Sequence, residues 1–172
     1  MPIHLDDLDV VSEIKGVSSA LIVPCNLCPG VTVAVRENRP FMRLTRSILK
    51  SAPFEEYMES LQSRLQEVGV RTEVFRSHLY HQWFLCMWTD GRRKQLEKAV
   101  KGYEAVIVLG CDSATETVRQ VVKSMDCRVI EGMRVAGIMN AKMRFRWPDR
   151  LSFEDCQVCP ISKPTEKEAI SG

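Results

Sequence analysis

Short apolar runs alternate with amphipathic segments along this chain, and the alternation constrains the fold more than any other feature. The clearest run is Ala105–Leu109, and Ser19–Pro24 is a second one, bounded by serine and by Pro-Cys. Uninterrupted apolar runs of this length are typical of strands that are buried on both faces, as in parallel sheets. The sequence therefore predicts an α/β fold with helices packed on a mostly parallel sheet.

Helical and strand patterns elsewhere in the chain complete the prediction. Apolar residues recur at spacings of three and four in two segments, and two further helices are indicated by a closing glycine and by a capping box. The predicted helices are 41–50, 53–68, 92–101 and one opened by Ser113–Glu116. Further strands are predicted at 70–76 and 127–130, 134–139 is another apolar stretch, and 143–160 is predicted to be mostly loop.

A chain of 172 residues suits one ordinary domain. We predict a lead-in at 1–16 that is irregular or partly helical, a single α/β domain at 17–162 and a polar tail at 163–172. The predicted architecture is a three-layer, mostly parallel sheet of the Rossmann or flavodoxin type. In such sheets ligands bind beyond the carboxyl ends of the strands.

Charge and hydropathy limit the classes of partner. The formal net charge is +2 and the pI is about 8.2, so no overall basic field argues for nucleic acid. No apolar run approaches the roughly 20 residues of a membrane span, and the first residues lack the apolar core of a signal peptide. We therefore predict a cytoplasmic protein, in which seven cysteines point to metal binding or catalysis rather than disulfides.

Two Cys-x-x-Cys pairs dominate the chemistry of the sequence. Cys25 and Cys28 follow the first strand, whereas Cys156 and Cys159 lie near the end of the domain. Each pair can present two thiolates to one ion, and two pairs make the four-sulfur cage of zinc or of an iron–sulfur (4Fe–4S) cluster. The alternatives for either pair are a redox dithiol or ordinary buried thiols.

Two of the other cysteines are further candidate metal ligands. Cys111 lies between a strand and a helix, so it should emerge at the same sheet edge as Cys25. Cys86, placed in or just after a strand, is a weaker candidate ligand, and Cys127 is assigned to the core. Six thiolates exceed the needs of one tetrahedral ion, so either there are two sites or some thiols have another role. His78 and His81 are additional candidates of lower priority.

The order of these motifs resembles the cysteine-rich C-terminal domain of methylenetetrahydrofolate reductases, known as MetV where it is a separate subunit. The resemblance spans roughly residues 18–160. The motifs that carry it are Val23-Pro-Cys25-Asn-Leu-Cys28, Cys86, Val108-Leu-Gly-Cys111, Gly137-Ile-Met-Asn140 and Phe153-Glu-Asp-Cys156-Gln-Val-Cys159.

This resemblance implies a zinc- or iron–sulfur-binding accessory domain of one-carbon metabolism that works beside a flavin-containing reductase subunit; it does not imply that this chain itself reduces a folate. The metal ligands would come from Cys25, Cys28, Cys86, Cys111, Cys156 and Cys159. Two alternatives remain open. One is an enzyme that uses zinc–thiolate methyl transfer or cysteine redox chemistry, and the other is a structural zinc domain for protein contacts.

Two basic segments also stand out. The first contains Arg36, Arg39, Arg43, Arg46 and Lys50, and the second contains Arg144, Arg146 and Arg150 around Phe145 and Trp147. The first is either the solvated face of a helix or a surface for an acidic partner or a phosphate-bearing cofactor. The second mixes cations with aromatic rings as nucleic-acid sites do, but the near-neutral net charge argues against that function.

Overall fold

The computed structural model describes residues 3–43, 51–76 and 84–161. The helices within these ranges are α1 (Val10–Glu13), α2 (Cys28–Arg36), α3 (Ala52–Glu67), α4 (Asp90–Val100) and α5 (Asp112–Val122). The strands are β1 (Ile3–Asp7), β2 (Ser19–Pro24), β3 (Met42–Arg43), β4 (Arg71–Val74), β5 (Ala105–Leu109), β6 (Arg128–Glu131), β7 (Met133–Arg146) and β8 (Arg150–Pro160). One short 3₁₀ turn covers Leu85–Met87.

A parallel four-stranded sheet with the order β4-β2-β5-β6 forms the centre of the fold. All residues of β2 and β5 are buried, as their uninterrupted apolar character predicts. The second of these strands along the chain thus lies at one edge, next to the first, and the third and fourth follow on the other side of the first. This order is compatible with a Rossmann- or flavodoxin-like core. The mixed α/β prediction with a parallel sheet is therefore confirmed.

A second, antiparallel sheet with the order β1-β7-β8-β3 was not predicted. The prediction of mostly loop for 143–160 is wrong, because β7 and β8 form a long hairpin that pairs from Gly137↔Pro160 to Arg146↔Arg150. The turn of this hairpin contains a cis peptide bond between Trp147 and Pro148. The N-terminal segment also belongs to the fold, since β1 pairs with β7 and Leu5 is buried in the core.

Helix α2 lies where the two sheets meet. Val33 belongs to the main core around the parallel sheet, whereas Val31 and Ala34 belong to a smaller cluster with Phe41 and Met139. One nine-residue helix thus packs against both layers. Because α2 is buried on two faces, its position is fixed. The first Cys-x-x-Cys turn leads into α2 and is therefore held in place against the parallel sheet.

Most helices and strands of the parallel part begin and end close to their predicted positions. Helices α3 and α4 confirm the predicted segments 53–68 and 92–101, and β4 and β6 confirm the predicted strands. The predicted helix 41–50 lies largely outside the described residues, and its described start contains β3. The polar tail at 163–172 also lies outside them.

Helix α5 does not use the predicted capping box. It begins at Asp112, Cys111 occupies the N-cap position, and no side chain caps the helix there. The helix starts before Ser113 because the chain turns directly from the end of β5 into the helix. Two N–H groups, those of Ala114 and Thr115, donate to the carbonyl of Cys111.

Candidate functional site

The parallel sheet reverses its winding between β2 and β5. Strand β4, which follows β2 in this sheet, lies on one side of it, and β6, which follows β5, lies on the other side. The connections that leave the carboxyl ends of β2 and β5 therefore diverge and open a crevice, and such switch points are where open α/β sheets bind ligands. Cys25 follows β2 directly, and Cys111 comes two residues after β5.

The two strand ends are held together tightly. The N–H of Cys25 donates to the carbonyl of Leu109 over 2.8 Å, which extends the pairing of β2 and β5 by one residue. Gly110 then passes so close to both neighbours that a Cβ atom on it would lie 2.6 Å from Ala114 Cβ and 3.5 Å from Cys25 Cβ. Only glycine fits this approach, so Gly110 sets the distance between the start of α5 and the end of β2.

Cys25 is buried at the end of β2, where the switch point of the sheet is expected to form a crevice. It is 4% exposed, and burial raises the pKa of its thiol to about 12. Backbone hydrogen bonds from Leu85 and Leu27 act in the opposite direction, and negative charge on Cys28 or Cys111 would raise the pKa further. The hydrogen bond from Leu85 shows that the 3₁₀ turn lies next to Cys25.

Cys28 and Cys86 take part in the same electrostatic interactions. Burial raises the pKa of Cys28, a backbone hydrogen bond from Ile3 lowers it, and charge on Cys111 or Cys86 raises it. The pKa of Cys86 is raised by burial and then by charge on Cys111. The structure thus brings the first Cys-x-x-Cys pair close to both mid-chain cysteines.

Two opposing effects act on negative charge at this crevice. Cys28 is the first residue of α2 and Cys111 occupies the N-cap position of α5, and the positive ends of helices favour anionic sulfur. Burial and mutual repulsion disfavour several thiolates together. A soft cation would remove that repulsion, so the donor chemistry suits zinc or an iron–sulfur cluster. Within the described residues, however, no group of three or more His, Cys, Asp or Glu side chains is arranged to hold a metal ion.

The second Cys-x-x-Cys pair lies on the antiparallel sheet. Cys159 is exposed on β8 opposite Ile138, and Cys156 is half-buried against the cluster that contains Met139. Burial and the neighbouring charge of Asp155 raise the pKa of Cys156. The structure therefore places this pair on a different sheet from Cys25, and it does not gather the two pairs.

The remaining candidates have different environments. Cys127 packs at the margin of the main core, as predicted. Cys86 lies in the 3₁₀ turn and not in a strand, and the predicted strand before it falls on residues 77–83, which lie outside the described residues. His78 and His81 lie outside the described residues. Sequence analysis missed the approach of Leu85 to Cys25, because no periodic pattern marks a turn of three residues.

Comparison with known proteins does not assign the chain to a family: no family model, curated protein or solved structure matches it. Among the described residues, none of the helices has the length and apolar character needed to cross a membrane.

The burial of Cys25 predicts a specific order of thiol modification. In chelator-treated protein at pH 8, we expect iodoacetamide to modify exposed Cys159 readily and Cys25 very slowly. A thiol with a pKa of about 12 is ionised at that pH to only about one part in ten thousand. Peptide mass spectrometry measures both rates, and denaturation should abolish the difference. Equal rates in the folded protein would contradict the described burial.

Proposed function

We propose that this chain binds a zinc ion or an iron–sulfur cluster at the crevice between β2 and β5. Cys25, Cys28, Cys86 and Cys111 are the proposed ligands. One observation supports the proposal above all others: Cys111 lies close enough to Cys25, Cys28 and Cys86, at the switch point of a parallel sheet, for its charge to raise the pKa of each of the three.

The surrounding residues would prepare the crevice for such a centre. Helices α2 and α5 direct their positive ends toward the sulfur atoms, and the backbone N–H groups of Leu27 and Leu85 hydrogen-bond to Cys25. N–H groups directed at thiolates stabilise bound sulfur and tune the potential of a cluster. When bound, a cluster would supply one-electron transfer, whereas zinc would supply a structural or Lewis-acid centre.

The proposed biological role is an accessory subunit that serves a flavin-containing reductase in one-carbon metabolism. This part of the proposal depends on the resemblance of the cysteine order to MetV-like domains. The position of the crevice is compatible with it, because Cys86 is exposed on the 3₁₀ turn and a partner can approach from that side. Electron transfer or assembly with the partner would then occur at this end of the sheet.

A redox enzyme is the second candidate, and the position of Cys28 favours it. A Cys-x-x-Cys turn that leads from a strand directly into a helix favours thiolate chemistry, because the helix end stabilises the anion. Metal-free protein with a reversible Cys25–Cys28 disulfide would support this candidate. A structural zinc domain, the third candidate, would unfold on chelation without any redox signal.

Metal analysis and an absorption spectrum of anaerobically purified protein test the proposal. We expect either about one zinc per chain in a colourless sample or about four iron atoms with a brown colour. Anaerobic handling is required because oxygen destroys exposed clusters. A colourless, metal-free protein would exclude both forms of the proposed centre and leave the dithiol function.

A further inference from the structure

Helices α2 and α3 lie side by side and run in the same direction. Gly30 is in the first turn of α2, and a Cβ atom on it would lie 3.4 Å from Cβ of Ser51, the N-cap residue of α3. At the other end of α2, the guanidinium carbon of Arg36 lies 5.7 Å from the centre of the Tyr57 ring on α3. The N-termini of the two helices therefore adjoin each other.

This pair of helix ends lies at the edge of the parallel sheet where ligands are expected. Helix α2 begins at Cys28, shortly after β2 ends at Pro24, so its N-terminus lies at the carboxyl ends of the strands. Open α/β sheets bind their ligands at this edge. The contact with α3 is made at Gly30, so the paired ends lie beside the Cys-x-x-Cys turn.

The two helix ends concentrate positive charge. Each N-terminus carries roughly half an elementary charge, and its first N–H groups have no acceptor inside the helix. Within the described residues no side chain caps either helix, and the first turn of α2 has no acidic residue. Glu55, in the first turn of α3, pairs with Arg76 over 3.5 Å. An anion bound between the two ends would remove their mutual repulsion.

Ser51 provides a second, independent indication of a ligand. An N-cap serine ordinarily accepts a hydrogen bond from its own helix, but Ser51 does not. The residue is 4% exposed, and its hydroxyl forms no hydrogen bond within the described part of the chain. The Oγ atom lies 3.7 Å from the position of a Cβ atom on Gly30, so it is directed between the two helix ends. A buried hydroxyl of this kind is available to a ligand.

Backbone donors of both helices lie beside this hydroxyl. Gly30 and Phe54 each occupy the third position of their helix, directly after a proline that has no N–H group. Neither N–H group has a backbone acceptor among the described residues. The hydroxyl of Ser51 and these two N–H groups thus make three donors. A phosphoryl group suits them better than a carboxylate because it has three strong acceptor oxygens and a larger negative charge.

We propose that the adjoining N-termini of α2 and α3 bind a phosphoryl group, as inorganic phosphate or as the phosphate ester of a cofactor. Ser51 Oγ and the N–H groups of Gly30 and Phe54 donate to its oxygens, and its charge neutralises both helix ends. The proposal uses no cysteine side chain, so it stands or falls independently of metal binding.

The basic segment that sequence analysis considered for a phosphate-bearing cofactor lies elsewhere where it is described. Arg36 is at the end of α2 and pairs with Asp7 over 2.7 Å, and Arg39 donates to Glu56 over 2.7 Å. Both arginines are thus paired with carboxylates away from the helix N-termini. The proposed site uses backbone N–H groups and one hydroxyl in their place.

Thermal unfolding of the full chain tests the proposal. In about 10 mM inorganic phosphate, we expect the midpoint to rise by about 3 °C or more over that in chloride of the same ionic strength. Such a rise corresponds to a Kd of about 1 mM for an anion that binds only the folded protein. Phenyl phosphate serves as the ester probe. A larger rise with the ester identifies a cofactor as the source of the phosphoryl group, and a smaller one identifies the free ion.

Ser51→Ala separates the site from a general salt effect. In chloride the variant should be at least as stable as the wild type, because the hydroxyl it loses has no partner in the described chain. In phosphate its midpoint should rise by only about 1 °C, which corresponds to about tenfold weaker binding. Ser63→Ala is the matched control on the same helix, since Ser63 Oγ donates to the carbonyl of Glu59 over 3.0 Å. It should retain the full rise.

Nuclear magnetic resonance of isotope-labelled protein locates the bound anion. We expect the largest phosphate-dependent changes at the N–H groups of Gly30 and Phe54. The proposal would be overturned by a midpoint in phosphate or phenyl phosphate no higher than in chloride, by a full rise in Ser51→Ala, or by changes centred on another part of the chain.

Discussion

Replacing Gly110 with valine is expected to destabilise the protein by about 2–3 kcal/mol and to abolish metal binding at the crevice. The added Cβ would lie only 2.6 Å from Ala114 Cβ, so α5 has to move away from the end of β2. Overpacking of this kind costs roughly 1–3 kcal/mol, and a branched side chain enlarges the displacement. The same displacement would separate Cys111 from Cys25. Urea denaturation and metal analysis of one preparation measure both effects.

Gly91→Ala is the matched control. Gly91 lies in the first turn of α4, and the nearest heavy atom to a Cβ there is Thr89 Oγ1 at 4.0 Å. We expect a change in stability of no more than about 0.5 kcal/mol and full metal content. A Gly110→Val variant that matched this control in both measurements would show that the approach of α5 to β2 does not organise the crevice.

Ile107→Ala is expected to lower the free energy of unfolding by about 3 kcal/mol. Ile107 is fully buried at the centre of β5, where it pairs with Ile22 on one side and Ile130 on the other. Truncation removes apolar contacts and leaves a cavity that a central strand cannot collapse to fill, and such changes cost roughly 2–5 kcal/mol. Chemical denaturation measures this loss, and the dependence of the free energy of unfolding on denaturant concentration should be unchanged.

Val68→Ala provides the comparison, because Val68 is 53% exposed at the end of α3. Its loss should change stability by no more than about 0.5 kcal/mol. If Ile107→Ala and Val68→Ala unfolded at similar denaturant midpoints, β5 would not be the centre of the core. A loss from Ile107→Ala of less than about 1 kcal/mol would lead to the same conclusion.

The parallel part of the fold could be predicted because burial leaves a direct pattern in the sequence. Strands β2 and β5 are covered on both faces, so every position is apolar or small, and α3 shows the spacing of a helix with one buried face. The antiparallel hairpin was missed although Met139, Ala141, Met143 and Phe145 alternate with polar residues. Exposed arginines and a bulge beside Ala141 obscured that alternation.

The grouping of cysteines was predictable only where strand ends determine it. Cys25 and Cys111 follow neighbouring parallel strands, so their proximity follows from the topology. The position of Cys86 depends on a 3₁₀ turn without a periodic signal, and that of Cys156 depends on β8 pairing with β7 instead of joining the parallel sheet. Identical Cys-x-x-Cys spacing carries no information about which sheet a pair joins.

The most direct test compares the metal content of two double variants with that of the wild type, all purified anaerobically. One variant is Cys86→Ser with Cys111→Ser, and the other is Cys156→Ser with Cys159→Ser. If the centre is bound at the crevice, the first variant loses its zinc or iron and the second retains the wild-type amount. Loss of metal from the second variant with retention in the first would contradict the proposed site, and a metal-free wild type would contradict metal binding altogether.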